Sequence, residues 1–389
     1  MFRLAFTVAV AAFVLVNLGN ALHKGGDFDV FLDAGARTLV AAPLYADSGP
    51  GTGITGPPAY GVFFAPFAAL ARIDMRAARI VWYLLNVLAL AAGVWAWTLA
   101  LSTEPPGRAG QAVRLQGVVW PLVAIAMPAQ TNFEHQNMNA LLLALEGGAA
   151  LSLARRREAS AGLFIGVAAA LKAFPALLIV YLAVLGRWRA AAAAIVVAAA
   201  LTATPAMFYG PGGAWQTLRD WLSISTTGGW SDRFQNQSLY AMSARIAPAE
   251  AYRVYLLAAA VLLAVFVVTA VRGRSRSDGV TAGLAFALAC AVLLSPIAWD
   301  HYWVLMFPAM LVVFTESPRD RWLRIAFWIA AILVTGLSPP TIGRHGFNVA
   351  RLWSSSTLAG LVLVAALTRL LGRARRTTND AIPVRPGTP

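Results

Sequence analysis

The chain has 389 residues, 59% of them hydrophobic and only 12% charged, with a mean hydropathy of +0.66. A soluble domain could not wet that much apolar surface, so the composition marks an integral membrane protein. The formal net charge of +14, from 31 basic and 17 acidic residues, does not make the chain a nucleic-acid binder unless it gathers on one soluble face. A single cysteine, Cys290, excludes an intrachain disulfide and any cysteine-based metal cluster.

The first apolar segment, Leu4 to Leu22, follows Arg3 and carries no charge, as a signal anchor does. Further segments follow near 78–101, 116–129, 136–154, 160–172, 174–186, 190–208, 252–271, 280–296, 302–315, 323–337 and 352–371. The pattern predicts an all-α polytopic membrane protein of about twelve transmembrane helices. Residues 1–372 then form one domain, and 373–389 form a basic, disordered cytoplasmic tail. Several segments fall short of the ~20 residues that cross hydrocarbon, and are expected to be broken or shielded within the bundle.

Charge orients this bundle. With Arg3 in the cytoplasm, alternate connections place 19 of the 31 basic residues on the inner side, for a net charge of +13, against +2 on the outer side and −1 from Glu146 within a segment. The short inner loops contain Arg155-Arg156-Arg157, Arg187-Trp188-Arg189 and Arg272-Gly273-Arg274, as the positive-inside rule requires. Both termini are therefore expected in the cytoplasm of a bacterium, with long connections at about 23–77 and 209–251 outside its plasma membrane.

Polar chemistry is concentrated on that outer side. Asp27 and Asp29 follow two glycines directly after the first segment, where an ionisable group needs a reason to sit. Asp27-Phe28-Asp29 imitates a metal-holding Asp-x-Asp, but the soluble α/β domain such a site uses is missing, so no metal is expected. The stretch after Pro57 and Pro58, which includes Tyr60, reads as an interfacial helix. Next come Glu134, His135, Gln136, Asn137 and Asn139 at the outer end of a segment, placed either to face a hydrated cavity or to hydrogen-bond between helices. Glu146, deeper in that segment, is expected to pair within the bundle.

Lys172 interrupts an apolar run three residues before Pro175, which predicts a helix rising to the outer face, a lysine at its apex and a helix returning. A lysine there either snorkels or holds a phosphate or carboxylate. Trp230, Arg233, Phe234, Asn236 and Gln237 combine amides with rings, as carbohydrate sites do. Asp300 and His301 stand among aromatics that an interfacial belt would explain, but the belt does not explain the acid and the imidazole. Four histidines scattered at 23, 135, 301 and 345 do not suggest a zinc site.

In this order, the blocks around Asp29-Val30-Phe31, Pro43-Leu44-Tyr45, Gln136-Asn137-Met138-Asn139, Leu171-Lys172-Ala173-Phe174-Pro175, Asn236-Gln237-Ser238-Leu239 with Arg245, and Ser295-Pro296 with Trp299-Asp300-His301 resemble glycosyltransferase family 87. These are polyprenyl-phosphate-mannose-dependent mannosyltransferases of the GT-C superfamily. The resemblance implies a GT-C type bundle and a hexosyl transfer, with mannose as the sugar, that inverts the anomeric centre. The donor would be a polyprenyl-phosphate sugar and the acceptor a lipid or envelope glycan, met outside the cytoplasm among membrane lipids and without a cofactor. It favours Asp29 over Asp27 as general base. It puts Lys172, His301, Arg245 and Arg233 on the donor phosphate, with Asp300, Asn236, Gln237, Gln136, Asn139 and Tyr60 as further substrate contacts. A transporter or flippase of lipid-linked sugars, or a related enzyme using another polyprenyl-phosphate sugar, is the alternative.

Overall fold

The computed structural model describes residues 2–49, 53–103, 115–226, 230–273 and 279–373. The basic connections at 104–114 and 274–278 and the tail from 374 lie outside the described residues, and the expectations made for them stay there. Among the described residues the structure is helical, with one isolated bridge between Asn236 and Trp299 and no strand.

In chain order the α-helices are α1 (Phe2–His23), α2 (Asp27–Leu39), α3 (Ala59–Ile73), α4 (Met75–Thr103), α5 (Leu115–Ala124) and α6 (Ala126–Glu134). Then come α7 (Asn139–Ala154), α8 (Glu158–Leu171), α9 (Ala176–Val184), α10 (Trp188–Ala203), α11 (Ala206–Thr226) and α12 (Leu239–Ile246). The last third holds α13 (Ala251–Gly273), α14 (Val280–Leu294), α15 (Phe307–Glu316), α16 (Arg321–Ala331), α17 (Pro339–Leu352) and α18 (Ser355–Arg373), with a 3-10 helix, Asp300–Met306, between α14 and α15.

Every apolar segment read from the sequence contains a helix, but few are simple spans. Among the described residues, three helical stretches, Met75–Thr103, Pro248–Gly273 and Ser355–Gly372, are long and apolar enough to cross a membrane. The number rises to five if two sharply bent pairs are counted, α10 with α11 at 100° and Arg321–Gly336 with α17 at 86°. The bends have local causes: Pro205 follows Thr204 at the first, and Pro339 and Pro340 open the helix after the second.

α14 explains how a short helix lives in such a bundle. Its residues are apolar on every face, and from Thr281 to Leu293 all are buried, so it is wrapped by other helices. Outward-facing positions elsewhere carry bare apolar side chains, among them Leu15, Leu88, Val196, Leu257 and Val261. Such a surface suits lipid and not water.

The first long connection is largely helical. α2 and α3 pack so closely that a Cβ on Gly35 would sit 2.4 Å from the Phe64 carbonyl oxygen, so only glycine fits there. Phe28, Phe31, Phe64 and Phe67 surround Trp82 of α4, with the Phe28 ring stacked on it at 5.7 Å. The connection is fastened by Arg37, which reaches both Asp33 and Asp47, and by Tyr45, which donates to the Gly56 carbonyl at 2.7 Å. The Asp47 hydrogen bond, assisted by Asp33, raises the Arg37 guanidinium above its ordinary value. The stretch after Pro58, expected as an interfacial helix, is the packed partner of α2.

Candidate active site

The site begins at the turn between α1 and α2. Gly26 adopts a φ of +55°, and a Cβ there would come 2.9 Å from the His135 backbone. This lets Asp27 start α2 against the 135–139 turn, with its N–H donated to the His135 carbonyl at 3.0 Å. The turn is fixed from behind: Gln136 donates to the Ala21 carbonyl at 2.7 Å, and Trp82 donates to the Gln136 carbonyl at 2.6 Å.

With its neighbours committed to the backbone, Asn137 presents its amide to charged partners. Its Nδ2 donates to Asp27 Oδ2 at 2.7 Å, and its Oδ1 accepts from Lys172 Nζ at 3.3 Å. Lys172 is the extended residue that ends α8, and Pro175 opens α9, so the predicted helix break is present with the lysine in it. Its ammonium also donates to Asn139 Oδ1 at 2.7 Å and lies 3.7 Å from the Tyr302 ring centroid. Asn139 in turn donates to the His301 carbonyl at 3.1 Å. The buried His301 Nε2 lies 3.4 Å from Asp27 Oδ2 and makes no hydrogen bond.

Asp27, Asn137, Lys172 and Tyr302 are among the residues that wall a cavity of about 590 Å³. Asp27, Asn137 and Lys172 form its polar side; Phe31, Tyr60, Phe174, Trp221, Trp230, Trp299 and Tyr302 supply rings, and Leu177, Leu294 and Ile297 supply aliphatic surface. A carboxylate able to take a proton and an ammonium able to hold an anion thus share a chamber whose other walls suit an apolar molecule. No group of three His, Cys, Asp or Glu residues able to hold a metal ion occurs among the described residues.

Of the residues expected to touch substrate, Asp27, Lys172 and Tyr60 line the cavity, and His301 borders it through Asp27; Asn137 and Trp230, which the sequence also singles out, line it as well. The other expected contacts do not. Asp29, the favoured base, is held by Arg79 at 3.2 Å with its side chain half exposed. Gln136 and Asn139 stand behind the wall, one on the backbone and one on Lys172. Asn236 donates to the Ser231 and Pro296 carbonyls and accepts from the Ser238 and Ala298 N–H groups, which uses all of its hydrogen-bonding capacity. Gln237 donates to the Phe234 and Arg351 carbonyls and accepts from Ser356 N–H. Arg245 binds Ser354 and the Asn236 carbonyl, Asp300 pairs with Arg351, and Arg233 is exposed. Glu146, expected to pair, is fully buried with neither carboxylate oxygen hydrogen-bonded.

Nothing in the sequence marks Arg79 or Arg351, each an ordinary arginine in its own segment that meets its aspartate 50 or 51 positions away. Nor does it set Tyr302 apart from the other aromatics beside Asp300 and His301, because the lysine facing its ring belongs to a distant helix end.

Residues 55–296 match the family model described as glycosyltransferase family 87. A polyprenol-phosphate-mannose-dependent alpha-(1-2)-phosphatidylinositol mannoside mannosyltransferase of Mycolicibacterium smegmatis is 28% identical over 97% of this chain and 93% of its own length. A polyprenol-phosphate-mannose-dependent alpha-(1-2)-phosphatidylinositol pentamannoside mannosyltransferase of Mycobacterium tuberculosis is 28% identical over 85% of this chain and 75% of its own.

Proposed function

This chain belongs to glycosyltransferase family 87, and from that premise we propose that it moves mannose from a polyprenyl-phosphate donor to a phosphatidylinositol mannoside or a similar lipid glycan. The observation that carries the proposal is the single cavity wall on which Asp27 and Lys172 are joined through Asn137, facing rings and aliphatic side chains. A phosphosugar needs a cation beside its phosphate, and its acceptor hydroxyl needs a base within reach of the attacking oxygen.

In this scheme the acceptor oxygen attacks the anomeric carbon while Asp27 takes its proton. The bond from that carbon to the phosphate oxygen breaks, and the configuration inverts. Polyprenyl phosphate leaves with the bonding electrons beside Lys172, with His301 close by. The leaving group is already anionic, so the scheme calls for no metal. Asp27 replaces Asp29 as the base because its carboxylate faces the cavity, whereas that of Asp29 is turned to Arg79. The charge count supports a site outside the cytoplasm with both termini inside.

The test is transfer of labelled mannose from polyprenyl-phosphomannose to phosphatidylinositol mannosides by the purified protein in sealed proteoliposomes. Transfer by the wild type that is lost in Asp27→Asn supports the scheme. Undiminished transfer by Asp27→Asn removes that residue as base. Movement of the donor across the bilayer without any transfer favours a flippase.

A further inference from the structure

We infer that Asn137 is a positioning residue that holds the base and the phosphate-binding cation apart yet in register, an inference that rests on the transfer reading above. The two charges do not meet as an ion pair. Asp27 Oδ2 receives the Asn137 amide N–H at 2.7 Å, and the Asn137 carbonyl receives Lys172 at 3.3 Å. This orientation of the amide is forced, since turning it over would set oxygen against carboxylate and nitrogen against ammonium.

The spacer has a chemical purpose. A direct contact between Asp27 and Lys172 would spend the lone pair needed for the acceptor proton and the donor needed for the phosphate. Through Asn137 each charge keeps a polar neighbour and remains available to substrate. Both polar contacts of Asp27 fall on Oδ2, one with Asn137 and one with the His301 ring, which leaves Oδ1 available to an incoming hydroxyl. Asn139 is the counterpart on the other side: at 2.7 Å it is the tighter partner of Lys172 and makes no bond to Asp27. Asn137 therefore acts on the proton transfer through Asp27, and Asn139 acts on the phosphate through Lys172.

Steady-state kinetics in nanodiscs, with both substrates varied, separate these roles in wild type, Asn137→Ala, Asn137→Asp and Asn139→Ala. For Asn137→Ala, kcat falls about 10- to 100-fold while donor KM stays within about twofold. Asn137→Asp keeps an acceptor for Lys172 but sets a second carboxylate against Asp27 in place of the amide donor, so it is slower than Asn137→Ala. Asn139→Ala raises donor KM instead. A purely structural role for Asn137 would move both KM values together with kcat and lower the thermal unfolding midpoint, and that result overturns the inference. So does an Asn137→Asp faster than Asn137→Ala, which would mean that Asn137 serves Lys172 alone. If alanine unfolds the protein, Asn137→Gln, with both polar atoms on a longer stem, must show the same loss of kcat at a steady donor KM or the inference falls. Absence of transfer by the wild type overturns the functional reading itself, whereas an active wild type with an unchanged kcat in Asn137→Ala overturns only the inference.

Discussion

Asn137 and Asn236 carry the same side chain beside the same cavity; as sequence, Asn236 was a plausible sugar contact, and Asn137 was read as facing a hydrated cavity or hydrogen-bonding between helices. Asn137 has its two polar atoms on an aspartate and a lysine that both line the cavity. Asn236 has its own on four backbone groups that tie the 231–238 segment to 296–298. The first leaves charge exposed to a ligand, and the second leaves nothing over. Residue type gives a capacity for hydrogen bonding, while the fold decides whether that capacity is spent on a substrate or on the chain itself.

Substitutions that should separate the two regions can be ranked by expected effect. Lys172→Met removes the cation on the open wall and should lower kcat/KM for the polyprenyl donor by about 10²–10³-fold, with the thermal unfolding midpoint held; a loss under tenfold would take Lys172 out of the phosphate site. On the closed side, Arg351→Ala strands Asp300 in the interior and should destabilise the protein by about 3 kcal/mol. Denaturant unfolding in detergent measures it, and transfer per folded molecule should stay within a few fold. Asn236→Ala should cost about 2 kcal/mol through its orphaned backbone partners, again with substrate KM values near wild type; a raised acceptor KM at unchanged stability would return Asn236 to the substrate site. The smallest effect is expected of Asp29→Asn, which breaks a half-exposed pair with Arg79 worth roughly 0–1 kcal/mol. Mannose transfer should persist within about twofold, and its loss would reinstate Asp29 as the base.

Some of this was legible in advance. A lysine followed by proline inside an apolar run announces a helix break with a charge in it, and Lys172 ends α8 as Pro175 opens α9. The choice between Asp27 and Asp29 was not legible. Two residues along a helix turn a side chain by about 200°, so of two neighbouring carboxylates in α2 only one could face the cavity, and nothing local says which. The surroundings of Arg245 and Gln237 were hidden for another reason. Their partners, Ser354, Arg351 and Ser356, come from the end of α17 and the start of α18, over a hundred positions away. α17 itself falls between the apolar segments read at 323–337 and 352–371, where Gly343 and Gly346 obscure a helix that Pro339 and Pro340 begin.

Composition and charge by themselves determined that this is a helical membrane protein, because apolar content and the placement of arginines act additively along the chain and need no partner. The order of its motifs was enough to show the resemblance to its family. Only the tertiary structure decided which polar side chains face the cavity. A hydrogen bond is a property of two groups at a set distance, and here the second group usually lies in a segment that the first cannot specify.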